Sequence, residues 1–582
     1  MEDHFTSNLE LARIFEEIAL LLEIKGENPF KVRAYRRAAE AVSLLAVPVR
    51  EAVESGEIAS VDGIGRALAA KIAEWAATGK VAYREQLAQE VPPGLIDVMR
   101  VSGIGPKTAK RLYDELGVTC LADLAKAVQD GRIGRVRGMG PKAQANIARA
   151  LALLHEQSGR IPLGEAAAIG VRLVERLKES GRVTAAELAG SARRRCETVG
   201  DLDIVAAAEN PQGAIEWFAA LPEVREVLAK GETKCSVVLQ NGAQADLLAV
   251  LPGEFASALH HFTGSKEHHE ALRALAKQRG YSVSERGLKE LATGEVVLPQ
   301  SEEELYRMLG LPYIPPELRE GRDEIELAMR GALPRLLELA DIRGDLHVHT
   351  DWTDGRSSLA DMARAAKALG REYIAICDHS HSLRVANGLS AADLGRQAEA
   401  IREVERLVGI RVLRGVEVDI LVDGSLDLDD ETLAGLDIVV ASVHSHMNQD
   451  AETMTRRLVR AIENPHVDII GHPTGRILGR RKPYEVDIDQ VIEAAARSGT
   501  ALEINASAAR LDLKDTLAAR AHAAGVRIAI NTDAHDTGEL GDMWLGVAVA
   551  RRARLAKEAV VNAWALDDVI AWLGARNRHA DR

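Results

Sequence analysis

The sequence predicts a multidomain fold: a helical amino-terminal region, an α+β centre and a carboxyl-terminal β/α barrel. Three observations carry this. The chain has 582 residues, more than one hydrophobic core serves. A Gly-apolar-Gly string followed by helical periodicity occurs three times before residue 152. After residue 344, short apolar runs alternate with helical segments, the rhythm of βαβ units.

Residues 1–90 read as short helices. "NLELARIFEEIALLLEI" spaces its apolar residues helically, and Asn28-Pro29 is a start signal for the helix in "NPFKVRAYRRAAEAVSLL". The repeats are "VDGIGRALAAKI" (61–72), "VSGIGPKTAKRL" (101–112) and "RGMGPKAQANIARAL" (137–151). Glycines at this spacing allow a tight hairpin whose amide N–H groups face an anion at a helix N-terminus. Such a hairpin grips a phosphate backbone and reads no base. Residues 91–150 hold ten Lys/Arg against five acids, so a basic surface is expected inside a chain of net charge −14.

From about residue 161, strand-like runs such as "DLDIVAA", "CSVVLQ" and "ADLLAV" alternate with helical ones. In "GSARRRCETVGDLDIV" (190–205), Asp201 and Asp203 alternate with Leu202 and Ile204, so both carboxylates face one side of a strand. Paired carboxylates repel unless a cation lies between them, and Mg²⁺ or Mn²⁺ is the natural partner. Asp246 in "ADLLAV" is the candidate third acid. Ser191 and the guanidinium forks of Arg193 and Arg194 suit phosphates. "LGLPYIPPELREG" (309–321) reads as a loop or linker, and "RDEIELAMRGALPRLLELA" as a helix leading out of it.

In "DLHVHTDWTDG" (345–355), His347 and His349 stand two apart on a strand and point the same way, and the turn can return Asp354 to that rim. Later apolar runs end on Asp378-His379, Glu417, His444, His472, Asp533 and His535. Barrel chemistry gathers at the carboxyl ends of strands, so these side chains are expected on one rim. A lone HxH matches by chance, but recurrence at strand end after strand end does not. Imidazole and carboxylate without thiolate point to a cluster of two or three Mn²⁺, Zn²⁺ or Fe, suited to phosphate-ester hydrolysis. His381, Asp419 and His446 are expected as outer partners.

"DLHVHTDWTDG", "CDHS", "GVEVDI", "ASVHSH", "GHPTGR" and "NTDAHD" resemble the motifs of the PHP (polymerase and histidinol phosphatase) family, over roughly 345–582. The resemblance implies a distorted β/α barrel with a trinuclear metal centre. Cys377 stands where threonine is common and is expected to be a packing change. The central string is similar to the nucleotidyltransferase palm, and "HHFTGSKEHHEALRALA" (260–276) resembles the sugar-contact motif of DNA polymerase family X. The repeats look like helix-hairpin-helix elements, and the whole chain resembles a bacterial family X DNA polymerase.

That resemblance implies metals on Asp201, Asp203 and Asp246, and the triphosphate on Ser191, Arg194 and Gly200. It implies Phe262 and Gly264 beside the deoxyribose, with His269 and Arg273 near the nascent pair. DNA contacts fall to Gly63, Gly65, Gly103, Gly105, Lys107, Lys31 and Tyr35. Lys71 falls where some members hold a Schiff-base lysine, with Lys31 and Tyr35 beside it, and contact with a surface phosphate is expected ahead of lyase chemistry. Three positions depart from the pattern: His261 for tyrosine, His269 for asparagine, and Ala67 for a second lysine.

The expected divisions are a lyase-like helical domain (1–90), a helix-hairpin-helix subdomain (91–160), a palm (161–255), a nascent-pair subdomain (256–325), a linker (326–343) and the barrel (344–582). The expected activity is short-gap filling in DNA repair, with an appended 3′-5′ exonuclease or AP endonuclease. Expected partners are gapped or nicked double-stranded DNA and dNTPs. Four scattered cysteines without a CxxC, no basic-apolar leader and no long apolar run lead to the expectation of a cytoplasmic protein without membrane contact; nucleoid association and a monomer are expected alongside. Two rivals are a small-molecule phosphatase of the histidinol-phosphate kind fused to a DNA-binding module, and a non-catalytic DNA-end scaffold.

Overall fold

The computed structural model describes residues 2–43, 49–56, 58, 61, 64–99, 101, 104–140, 143–148, 151, 160–383 and 386–577. The chain divides into two compact units, Met1–Gly159 and Arg160–Arg582.

The first unit is helical. Helix Glu2–Lys25 buries Leu11, Phe15, Ile18 and Leu22, spaced to fall on one stripe. Asn28 caps the next helix, Pro29–Ser43, by accepting from the Phe30 amide at 2.9 Å. Helices Arg66–Thr78 and Pro106–Leu116 begin after the glycines of the first two repeats. Gly65 and Gly105 are their N-caps, and neither offers a side chain to the first-turn amides. The Leu68 and Thr108 amides already donate to the Gly65 and Gly105 carbonyls at 2.9 Å and Pro106 has no N–H, which leaves Arg66, Ala67 and Lys107 to offer amides to an anion. Gly63 and Gly103 lie outside the described residues.

The second unit opens with a two-stranded ladder of β1 (Ile161–Pro162) and β3 (Thr198–Val199) and a five-stranded sheet of order β2 (Ala185–Leu188), β4 (Asp201–Ala207), β7 (Gln244–Val250), β6 (Lys234–Leu239), β5 (Val224–Lys230). Only β4 and β7 pair in parallel, and their register sets Asp203 opposite Asp246. Helices Phe255–Thr263, Lys266–Gln278 and Glu302–Met308 follow, with a three-stranded sheet of β8 (Tyr281–Ser284), β9 (Gly287–Glu290) and β10 (Val296–Val297). The expected helix over 322–340 is only Glu324–Met329. Gly331, at φ +65°, and Pro334 stop it, since proline lacks the amide a helix needs. Leu336, Leu337 and Ile342 beyond it are buried, and the Leu337 amide donates to the Leu555 carbonyl at 2.9 Å.

The barrel has seven parallel strands in chain order: β11 (Gly344–Val348), β12 (Tyr373–Ile376), β13 (Arg411–Asp419), β14 (Ile438–Ser442), β15 (Ile469–Ile470), β16 (Ala501–Asn505) and β17 (Ile528–Asn531). Every residue of β11, β12, β14, β15, β16 and β17 is buried, as strands covered on both faces require. The last strand returns to the first. The Asp533 amide donates to the His347 carbonyl at 3.0 Å, and the His349 amide to the Ala534 carbonyl at 2.9 Å. Among the described residues no helix is long and apolar enough to cross a membrane.

Candidate metal centres

The alternation of β4 aims Asp201 and Asp203 to one side, and β7 brings Asp246 beside them. One carboxylate oxygen from each lies within 4.8 Å of the other two. Burial, with Asp201 and Asp246 adding repulsion, pushes Asp203 up to about 7. That is the electrostatic signature of a site short of positive charge. Lys234 Nζ lies 3.5 Å from Asp246, and Gln244 donates to it at 3.0 Å. Gly190, at φ +55°, sits against Asp203 so closely that a β-carbon there would strike the carboxylate.

Ser191 lies on the short helix Gly190–Arg193, and Arg194 caps its end. Arg194 Nη1 donates to the Thr263 carbonyl at 2.7 Å, which joins this loop to Gly264. Gly200 precedes β4 beside Arg160. His261 and His269 share a hydrogen bond of 2.9 Å between Nδ1 and Nε2. Burial, then His261 and Arg273, hold His269 down at about 3, and burial lowers His261 too. Phe262 packs against the apolar cluster of Ala189, Val205 and Leu259.

At the barrel rim, all nine expected residues meet in three overlapping groups or touch them. His347, His349 and Asp533 form one group, His349, Asp354, His379 and His535 a second, and His379, Glu417 and His444 a third. His349 Nε2 is 3.1 Å from Asp533 Oδ1, and His379 Nδ1 is 2.8 Å from Glu417 Oε2. His472 Nε2 reaches Glu417 Oε1 at 3.1 Å. Burial alone would raise Glu417, but His444, His379 and His347 outweigh it and hold it well below the usual carboxylate range. The buried Nδ1 atoms of His349 and His472 have no hydrogen-bond partner. Unpartnered buried polar atoms are costly, and a cluster of N and O donors of this kind fits divalent transition metals. Asp533, at φ +54°, and His472, at φ +29°, hold backbone conformations that L-residues rarely adopt.

The outer partners are only partly those expected. Asp419 lies 3.3 Å from His444 Nδ1. His381 instead turns to Asp427 at 3.7 Å, because the turn after β12 carries it outward to an exposed position. The principal partner was not foreseen. Glu503, fully buried, faces His347 Nδ1 at 2.8 Å and accepts from the His472 amide at 2.7 Å. Asn505 holds Asp533 at 2.9 Å, and Arg510 Nε lies 3.8 Å from the same carboxylate with Nη1 unpartnered. Cys377 is fully buried and donates to the Leu346 carbonyl at 3.4 Å, a packing role as expected.

In the amino-terminal unit, Lys31 Nζ and Lys71 Nζ lie 5.0 and 5.2 Å from the Tyr83 ring centre. Tyr35 stacks on the same ring at 6.0 Å, so the three expected residues converge there. Lys107 is exposed beside Gly105.

Comparison with known proteins agrees with this division. Residues 6–81 match a helix-hairpin-helix domain family, 95–152 a SAM-like helix-hairpin-helix tandem, 258–320 the DNA polymerase beta thumb and 345–507 the PHP domain. DNA polymerase lambda of Rattus norvegicus is 28% identical over 54% of this chain and 56% of its own. A protein named "Probable phosphatase" from Thermoanaerobacter sp. (strain X514) is 33% identical over 38% of this chain and 89% of its own. The DNA polymerase/3'-5' exonuclease PolX of Bacillus subtilis (strain 168) is 43% identical over 97% of this chain and 99% of its own. With both metal-holding constellations inside that span, the chain belongs to the bacterial family X DNA polymerases that carry a carboxyl-terminal PHP domain.

Proposed function

We propose that this chain is a DNA-repair polymerase that fills short gaps at its palm and hydrolyses DNA phosphodiesters at its barrel. One observation carries the reading: a single chain holds two separate acid and imidazole constellations, Asp201–Asp203–Asp246 and the nine-residue barrel rim. The B. subtilis relative is named for polymerase and 3′-5′ exonuclease activities together.

Asp201, Asp203 and Asp246 would hold two Mg²⁺ or Mn²⁺, and the barrel residues two or three Mn²⁺, Zn²⁺ or Fe. Bound divalent ions supply Lewis acidity at both places, activating the attacking oxygen and offsetting charge on the phosphorus centre. Ser191, Arg194 and Gly200 receive the triphosphate. Phe262 and Gly264 flank the sugar, and His269 and Arg273 approach the nascent pair. In the barrel, Glu503 and Asn505 keep His347 and Asp533 aimed at the rim, and Arg510 is placed to meet a substrate phosphate.

The finer reading is that the barrel also incises abasic sites, that Lys71 contacts a surface phosphate or, as the second reading, is the nucleophile of a deoxyribose-phosphate lyase, and that Gly65, Gly105 and Lys107 hold gapped or nicked duplex. We assign lyase chemistry to 1–90, hairpin contacts to 91–160, palm to 161–255, nascent-pair contacts to 256–325 and hydrolysis to 344–582. A cytoplasmic, nucleoid-associated monomer is the expected form. Borohydride trapping on a 5′-deoxyribose phosphate end, lost in Lys71→Ala, supports the lyase; trapping that survives removes it. The "Probable phosphatase" likeness favours small esters as a second barrel reading, but such an enzyme has no use for a palm.

The deciding experiment is the His347→Ala/His349→Ala variant, assayed for 3′-exonuclease, abasic-site incision, gap filling and metal content. Hydrolysis and metal should fall while gap filling stays. DNA hydrolysis at the wild-type rate would remove the barrel from the reading.

A further inference from the structure

Three consecutive palm arginines are each held by a glutamate. Arg193 meets Glu302 at 2.6 Å, Arg194 meets Glu320 at 3.1 Å and Arg195 meets Glu317 at 3.2 Å. Each glutamate holds a second arginine. Glu302 takes Arg319, from the loop after Pro315, at 2.6 Å. Glu320 takes Arg552 and Glu317 takes Arg551, both at 2.8 Å. Arg551 and Arg552 end the helix Met543–Arg552, which belongs to the barrel.

The middle triad is the informative one. Arg194 uses Nε for Glu320 and Nη1 for the Thr263 carbonyl. Arg552 donates to the Arg194 carbonyl at 2.9 Å as well as to Glu320, and meets Asp515 at 3.0 Å. Both guanidinium groups are largely shielded, with 15% and 10% of their side chains exposed. A carboxylate shared by one arginine alone would neutralise it and compete with any anionic ligand. Glu320 and Asp515 together face three guanidinium groups, those of Arg194, Arg552 and, 3.9 Å from Asp515, Arg322, so the cluster keeps a net positive charge. Removing one partner of a buried charge cluster leaves the remainder uncompensated.

We infer that Arg552 of the barrel is a positioning residue of the polymerase site: it satisfies Glu320 so that Arg194 stays available to the triphosphate of the incoming nucleotide. The barrel thereby supplies part of the electrostatics of nucleotidyl transfer, in addition to its own chemistry. This rests on the reading that Arg194 touches the triphosphate.

The test uses the full chain on a gapped duplex and measures kcat and KM for dNTP. Arg552→Ala should raise KM about tenfold, with kcat changed less than about twofold. Arg552→Lys should recover part of the loss, since it restores charge without the fork. Arg552→Ala/Glu320→Gln should bring KM back toward wild type, because the uncompensated carboxylate is gone. A role confined to holding the two parts together predicts the reverse, a double variant worse than either single one. Exonuclease rate of each variant checks that the barrel is folded. An unchanged KM in Arg552→Ala, or no recovery in the double variant, overturns the inference. If Arg194→Ala itself leaves KM unchanged, the underlying assignment of the triphosphate site is what fails.

Discussion

Glu503 holds His347 through Nδ1 at 2.8 Å and the backbone of His472 at 2.7 Å, so one buried carboxylate orients two rim residues. Carboxylates behind metal-binding histidines fix the ring and raise its basicity. Glu503→Gln keeps the shape and loses the charge. The expected result is a roughly 10–100-fold loss of metal affinity or hydrolytic rate, with gap filling unaffected. Titrating hydrolysis with Mn²⁺ checks it; an unchanged midpoint refutes the role.

Metal loading should depend steeply on pH. Burial opposes charging of His379 and His535, yet Glu417 and Asp354 around the first, and Asp354 and Asp533 around the second, raise them to about 10 and about 9. Both rings therefore carry a proton at neutral pH in the metal-free protein, and a metal must displace it. Apparent affinity should rise with pH, by up to about a hundredfold per unit while two protons are displaced, and level off above about 10. The sign for metal-free stability is opposite: raised histidines favour the folded state at low pH, and that contribution is lost as pH climbs from about 6.5 through 9–10. Calorimetry of metal binding in buffers of different ionisation enthalpy counts the protons; release of none near pH 7 contradicts this.

Asp201→Ala or Asp203→Ala should abolish nucleotide addition while barrel hydrolysis persists. Gly190→Ala offers a second approach without touching an acid. Its φ of +55° and its closeness to Asp203 leave no room for a methyl group, so Asp203 must move. Primer extension should fall by about a hundredfold or more, on the scale of a 1 Å misplacement. Extension within tenfold of wild type in either aspartate variant rejects the palm assignment.

His261, where the family resemblance implies tyrosine, is tied to His269, where it implies asparagine. Weak exclusion of ribonucleotides is expected. His261→Tyr should raise the dNTP/rNTP ratio of kcat/KM by about tenfold, near 1.4 kcal/mol. His269→Asn alone should leave His261 without its partner and lower the ratio further. An unchanged ratio in His261→Tyr ends the idea.

The rim residues were legible because each ends a short apolar run, and a parallel barrel gathers such ends. Asp246 was legible because "ADLLAV" alternates as "DLDIV" does, and parallel pairing then sets it opposite Asp203. Glu503 was not. It sits inside "ALEI", where one acid in an apolar run gives no sign of facing the barrel interior. The arginine–glutamate triads were equally hidden, since Arg193 and Glu302 are 109 residues apart and Arg194 and Glu320 126. The helix expected over 322–340 failed on local grounds: its apolar spacing outlasts Met329, but Gly331 and Pro334 end it.

The barrel closes where its last strand meets its first, and the rim depends on that seam: the Leu346 amide donates to Asn531, 185 residues later. A ribosome adding about 5–20 residues per second needs roughly 10–40 s to cover that distance. For nearly all of that interval His347 and His349 have been made, while Asp533 and His535 have not. A nascent chain thus completes the palm acids well before it can trap a cluster. A message truncated shortly before the seam would encode all three palm acids yet lack Asp533 and His535 of the hydrolytic centre.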